Sequence, residues 1–214
     1  MSKCRIYLVR HGESEGNKRR SFLGHTDLPL TELGHRQAEA AATYLKDIHI
    51  DVLYASDLQR AYMTAEHIAD KKDLSIIADP TMREIYAGEW EDELFDDLIV
   101  KFEKDYYVWL NDIGASRCTG GESFVELYNR IIPEITRIAK ENDGLTVCIA
   151  THATPIRCAR LKAMGLGFDR AKDIPWTLNA STTVIDVEDG EFTIVEDQIT
   201  SYLEGILTSL PKTV

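Results

Sequence analysis

Arg10-His11-Gly12-Glu13 follows directly on the apolar run Ile6-Tyr7-Leu8-Val9, so a guanidinium and an imidazole stand together where a buried strand would run out. A neutral imidazole is a nucleophile toward phosphorus, and a guanidinium offers a planar fork of donors matched to phosphate oxygens. The tripeptide alone is a weak signal. Three more groups of compatible chemistry follow: Arg60 in a helical segment, Glu84 in Met82-Arg83-Glu84-Ile85-Tyr86, and His152 just after the apolar run Leu145–Ala150.

The elements that must position these groups are readable from periodicity. Ile6–Val9, Val52–Ala55 and Leu145–Ala150 are short apolar runs, as expected of parallel strands covered on both faces. Amphipathic helices are predicted over Glu32–Ile48, Asp57–Lys71 and Glu122–Glu141, the last with a kink at Pro133. Thr31 is expected to cap the first, and Ser56 with Gln59 has the spacing of a capping box for the second. Thr154-Pro155 is expected to open a further helix with threonine as its cap. Thr183–Val187 and Glu191–Val195 flank Asp189-Gly190, a two-residue hairpin signal. The pattern is that of an α/β fold in three α/β/α layers, its sheet mostly parallel with a late antiparallel hairpin. The whole chain, 1–214, reads as one domain.

On this skeleton Arg10 and His11 follow the first strand, Arg60 opens the helix after the second, and His152 precedes a helix start. Ligands of open α/β sheets bind outside the carboxyl ends of the strands, so all four groups are predicted to converge on one rim. Each has a plain structural reading when taken singly. Arg10 could form a surface ion pair, His11 a loop hydrogen bond, Arg60 a helical pair with Asp57, and His152 could simply end a strand. Taken jointly those readings are poor, and the set suits a phosphate dianion. Transfer through a histidine also needs a proton donor for the leaving alkoxide, which a partly desolvated carboxylic acid supplies. Glu84, flanked by apolar groups, is the candidate; Glu89 and Glu13 are its competitors.

Composition sets the outer limits. The 214 residues carry a net charge of −12, which argues against nucleic acid as a general partner and requires a local cationic pocket for any anionic substrate. No apolar run is long enough to span a membrane, and no apolar leader opens the chain, so a cytoplasmic protein is expected. Cys4, Cys118, Cys148 and Cys158 form no Cys-x-x-Cys pair and read as reduced and structural. His25, His35, His49 and His67 read as surface or structural residues; no histidine pair has metal-site spacing, and no cofactor is expected.

These blocks resemble the histidine phosphatase superfamily, the phosphoglycerate-mutase-like group. The resemblance is carried by Arg10-His11-Gly12-Glu13 with Asn17, and by Gly24-His25-Thr26-Asp27-Leu28-Pro29-Leu30-Thr31-Glu32-Leu33-Gly34. Ser56-Asp57-Leu58-Gln59-Arg60-Ala61, Arg83-Glu84 with Gly88-Glu89-Trp90-Glu91, Gly120-Gly121-Glu122-Ser123 and Thr151-His152 follow in family order. The resemblance implies that His11 is the nucleophile, that Arg10, Arg60 and His152 bind the transferring phosphoryl group, and that Glu84 is the acid. It further implies substrate binding by Asn17 and places Gly24 and Ala153 at the same site.

Three departures from the family pattern bear on the site. Ala153-Thr154 stand where a small glycine pair is usual, and Asp92 stands where a glycine is usual. From Glu84 to Asp112 ten carboxylates face only Lys101 and Lys104, which reads either as solvated helix faces or as an acidic lid, around 88–120, that disfavours polyanionic substrates. Mutases of the group usually carry Glu-Arg-His-Tyr-Gly around the acid; Glu84-Ile85-Tyr86-Ala87-Gly88 departs from it, and Gly88-Glu89-Trp90-Glu91 resembles the phosphatase branch. The expected activity is metal-independent hydrolysis of a small phosphorylated metabolite, with phosphoglycerate mutase and a non-catalytic phosphate-binding protein as alternatives. The tail Tyr202–Val214 fits either packing on the domain or a dimer contact, so monomer and homodimer both stay open.

Overall fold

The computed structural model describes residues 3–208. In chain order the elements are β1 (Cys4–Arg10), α1 (Glu15–Arg19), α2 (Glu32–Leu45), β2 (Val52–Ala55), α3 (Gln59–Lys72), β3 (Ile76–Ala78), α4 (Phe95–Lys101) and α5 (Glu103–Asn111). Then come α6 (Phe124–Glu141), β4 (Thr146–Thr151), α7 (Ala153–Ala163), β5 (Thr182–Glu188) and β6 (Glu191–Ile199). The six strands form one sheet in the order β3-β2-β4-β1-β5-β6. β3, β2, β4 and β1 run parallel, while β5 and β6 join antiparallel at one side.

Strand residues alternate between two apolar layers, as a period of two requires. Ile6, Leu8, Val147 and Ile149 pack with Leu127, Ile131 and Ile135 of α6 and Ile156 of α7. Val9, Leu53, Cys148 and Ala150 pack on the other face with Ala41, Ala42 and Leu45 of α2 and Ala65 and Ile68 of α3. The small residues of α2 and α3 let these helices lie close to the sheet. Asp189 and Gly190 both adopt positive φ, 51° and 81°, as a tight hairpin between β5 and β6 demands. All four cysteines are free and buried. Burial holds the Cys4 thiol up at about 11 and that of Cys148 at about 12.

Several local readings are corrected. The Ser56 hydroxyl does not close a capping box on α3; Leu58 is the cap residue, and it caps without its side chain. The cap of α7 is His152 and not Thr154, which lies inside the helix. The α2 helix stops at Leu45, short of Ile48, and β4 starts at Thr146 with Leu145 exposed. α6 runs through Pro133, and its capping box is Ser123 with Glu126. Of the tail, Tyr202 stacks on Tyr44 of α2 and Leu203 is buried; residues 209–214 lie outside the described residues.

Candidate active site

Sheet register brings the two histidines together. Arg10 on β1 pairs with Thr151 on β4, so the next residue of each strand, His11 and His152, emerges at the same edge. Their rings meet edge to face with centroids 5.2 Å apart. β2 lies on the other side of β4, and its continuation delivers Ser56, whose Oγ sits 2.8 Å from His152 Nε2. Arg60 comes from the first turn of α3, and the segment after β3 delivers Glu84. Thr151 Oγ1 ties that segment to β4 by donating to the Met82 carbonyl at 2.7 Å.

The backbone around His11 is closely packed. A Cβ on Gly12 would stand 2.3 Å from the Gly34 carbonyl oxygen, so this loop can sit on the start of α2 only as glycine. Gly12 N–H donates to Thr64 Oγ1 at 3.1 Å. The side chain is oriented as firmly: His11 Nδ1 lies 2.7 Å from the Gly12 carbonyl oxygen. A carbonyl only accepts, so Nδ1 carries the proton and Nε2 keeps its lone pair. Burial, followed by the charges of Arg60 and Arg10, holds the His11 pKa well below its usual value. His152 is depressed in the same direction, first by burial and then by Arg60. His11 is therefore held as a neutral imidazole at neutral pH, with the lone pair of Nε2 free.

Both site arginines are buried and held by neutral carbonyls. Arg60 donates to Gly24 O at 2.7 Å and to Thr26 O at 2.9 Å, and Arg10 donates to Thr177 O. The alternative reading of Arg60 as a helical partner of Asp57 is not realised; Asp57 binds Arg83. Burial pushes both guanidinia down to about 10, which leaves them protonated at neutral pH. Arg10 Nε and His152 Nδ1 are buried with no partner. Uncompensated buried charge with orphaned donors is costly in an empty pocket and favourable around an anion.

The hollow these groups line spans about 490 Å³ counted with the solvent open to it, and Arg10, His11, Arg60, Glu84, Asn17, Gly24, Ala153 and Thr154 are among its lining residues. His152 lies behind the lining, fully buried against His11. Glu84 is the one carboxylate on the lining; its oxygens accept from Ile85 N at 2.8 Å and Thr154 N at 3.2 Å. Of its competitors, Glu13 is turned to Thr31 Oγ1 at 2.8 Å and Glu89 is exposed outside the hollow. Asn17 Oδ1 accepts from Ser14 N and from Asn179 Nδ2, both at 3.1 Å. Ala153 begins α7 in helical conformation, so this position needs no glycine. Asp92 keeps the positive φ, 61°, that suits a glycine, and its side chain binds Arg19 and Ser21.

Other residues entered the site unannounced. Phe22, Leu23, Phe95, Trp109 and Trp176 supply apolar surface to the hollow. Glu91 accepts from His25 N at 2.7 Å and Thr26 N at 2.6 Å, clamping the loop that holds Arg60. Arg130 and His25 bind the Glu84 carbonyl at 3.1 and 2.9 Å. Glu91 and His25 stand in blocks that carry the family resemblance, but nothing local to them announced these contacts. The remaining carboxylates from Glu89 to Asp112 do not line the hollow, which favours solvated helix faces over a charged gate.

Two guanidinia, one imidazole and one carboxyl group line a small hollow, with a second imidazole packed behind the first, and the set suits phosphoryl chemistry. The sequence profile described as histidine phosphatase superfamily (branch 1) matches residues 6–200. The chain belongs to that superfamily and is a phosphomonoester hydrolase of its kind. Among curated relatives, phosphoserine phosphatase 1 of Hydrogenobacter thermophilus is 32% identical over 202 residues, covering 93% of this chain and 94% of that one. The "Probable phosphoglycerate mutase GpmB" of Yersinia pestis is 33% identical over 161 residues, 75% of either chain. The solved structure of Bacillus stearothermophilus YhfR superposes with a TM-score of 0.89 at 27% identity, covering 94% of this chain and all of that one.

Proposed function

We propose that this protein hydrolyses small phosphate monoesters through a phosphohistidine on His11, with Glu84 as the proton donor and no metal ion required. His11 Nε2 attacks phosphorus and displaces the alkoxide, which takes a proton from Glu84. Water then attacks the phosphohistidine, returning a proton to Glu84 and restoring the neutral imidazole. Arg10 and Arg60 stabilise the charge spread over the phosphoryl oxygens, His152 backs the His11 ring from behind the lining, and such positioning and electrostatics supply most of the catalysis in this chemistry. Asn17 contributes its amide donors. The carrying observation is the His11–Gly12 hydrogen bond, which fixes the reactive tautomer while two carbonyl-held guanidinia await an anion.

Hydrolysis is favoured over mutase action by the walls of the hollow. Retention of a bisphosphorylated intermediate calls for a second cluster of cations facing the first. On the lining of this hollow the arginines are Arg10 and Arg60 alone, and Phe22, Leu23, Phe95, Trp109 and Trp176 supply apolar surface. The similarity to a named phosphoserine phosphatase over almost the whole chain supports the same choice. We take segment 88–120 as the lid, residues 1–214 as one domain, and a small metabolite in the cytoplasm as the substrate. Among the described residues no helix is long and apolar enough to cross a membrane.

Release of inorganic phosphate from a panel of small monoesters in EDTA tests the reading. Acid-labile radiolabel on His11 after rapid quench is expected in the intact protein and absent in His11→Ala. A folded protein that releases no phosphate from any monoester, or an undiminished His11→Ala variant, overturns it.

A further inference from the structure

Trp109 and Trp176 line both the first hollow and a second one, of about 580 Å³ counted with the solvent open to it. Its polar lining is Arg157 and Lys172; Leu110 and Ile174 supply apolar surface, and no carboxylate lines it. In a chain of net charge −12 such a cavity is unusual. Arg157 is the telling residue. It is only 7% exposed, on the buried face of α7, and no carboxylate pairs with it among the described residues. Its Nη2 donates to the Ile174 carbonyl at 2.9 Å, its Nε has no partner, and its guanidinium rests 4.8 Å over the Trp176 ring. The adjacent Arg160, by contrast, is neutralised by Asp197 at 2.6 Å. Burial and Arg160 push the Arg157 guanidinium down to about 10, still charged at neutral pH, against a smaller opposing pull from Glu84 of the first hollow.

A buried, unpaired guanidinium is retained at a cost in stability unless an anion reaches it. The first hollow, with Arg10, Arg60 and His11 on its lining, is the place proposed for a phosphate dianion. One guanidinium with a single lysine at the edge suits a singly charged planar group, and the fork geometry of arginine matches a carboxylate. We propose that the Arg157–Lys172 hollow is a carboxylate subsite for the alcohol portion of the substrate. The phosphate would then sit at His11, the substrate backbone would cross the apolar throat at Trp109 and Trp176, and the carboxylate would end at Arg157. This rests on the hydrolase reading only for the place of the phosphate. The substrate class that follows is a phosphate monoester carrying one carboxylate and no second phosphate.

The test uses matched pairs that differ by the carboxylate alone: O-phosphoserine with phosphoethanolamine, and 4-carboxyphenyl phosphate with phenyl phosphate. Dissociation constants are measured by calorimetry in the His11→Ala protein, which does not depend on turnover, and kcat/KM in the active protein. In at least one pair the carboxylated member is expected to bind tenfold tighter or better. Arg157→Gln is expected to erase that preference while leaving the other member within twofold. Arg157→Lys keeps the charge and restores part of the preference. Lys172→Gln, at an exposed position where folding is not at issue, weakens the carboxylated member about threefold. Equal losses for both members of each pair, or no preference in either pair, overturn the subsite. Phosphate release without preference sinks the subsite alone, and Arg157-dependent binding without phosphate release sinks the hydrolase reading alone.

Discussion

Glu91 and Arg60 do not touch, yet one sets the other. Glu91 grips the amides of His25 and Thr26, and the carbonyls of Gly24 and Thr26 in that same loop hold the Arg60 guanidinium. An acid thereby positions a cation without neutralising it by direct contact, and the charge stays available to an anion. Glu91→Gln keeps the shape and loses charge-assisted bonds worth about 1.5–3 kcal/mol each at most. The expected result is a five- to tenfold rise in KM for a phosphate monoester with a smaller fall in kcat, read from steady-state kinetics.

The acid is tested by leaving group. For an alkyl phosphate, Glu84→Gln is expected to lower kcat by about 10²–10⁴, the usual worth of a positioned proton donor. p-Nitrophenolate leaves without a proton, so phosphorylation of His11 by p-nitrophenyl phosphate should survive. Water attack still lacks its base. The variant should release a burst of nitrophenol, one equivalent per site, followed by a slow phase, seen by stopped-flow absorbance.

Acid sensitivity follows from the buried imidazoles. His11 and His152 stay neutral in the fold to well below the 6.5 of a free histidine. The unfolded chain therefore takes up more protons as pH falls below about 6.5, and the fold loses stability from there downward. Half-buried His25 is depressed in the same direction and adds to it. Carboxylates held low by partners, such as Asp57, Asp186 and Glu126, act only below their own unperturbed values near 4. The melting temperature should thus drop between pH 6.5 and 5, less steeply in His152→Asn, by calorimetry across pH. Over the same interval the acid limb of kcat/KM should not yet reflect protonation of His11.

Ser56 is expected to matter through His152. Ser56→Ala removes the partner of Nε2 and leaves a buried imidazole with neither nitrogen satisfied, since Nδ1 already lacks one. The cost should be about 1–3 kcal/mol of stability, read from urea unfolding, together with about a tenfold loss in kcat/KM.

The sheet was legible because its central strands are short apolar runs that need cover on both faces. The groups that gather at the hollow were legible because their chemistry stands at the ends of those runs. The three-residue β3, half exposed, carries too little pattern to be seen. Ser56 satisfied the spacing of a cap, but its hydroxyl is taken by His152, a partner 96 residues away along the chain. Glu91 was hidden for the same reason: its acceptor role exists only once the loop at Gly24–Thr26 is folded against it. Arg157 sits on a helix buried on nearly every side, where sequence periodicity gives no hint that a cation faces a cavity.

The four cysteines are all enclosed, and burial keeps their thiols protonated far above neutral pH. Maleimide and iodoacetamide, which consume thiolate, are therefore expected to label the folded protein far more slowly than the unfolded one. A single cysteine introduced at the exposed Tyr107 on α5 would take a fluorophore alone, with no need to strip the native sulfurs first. Motion of the helices above the hollow would then be open to direct observation by energy transfer from the tryptophans.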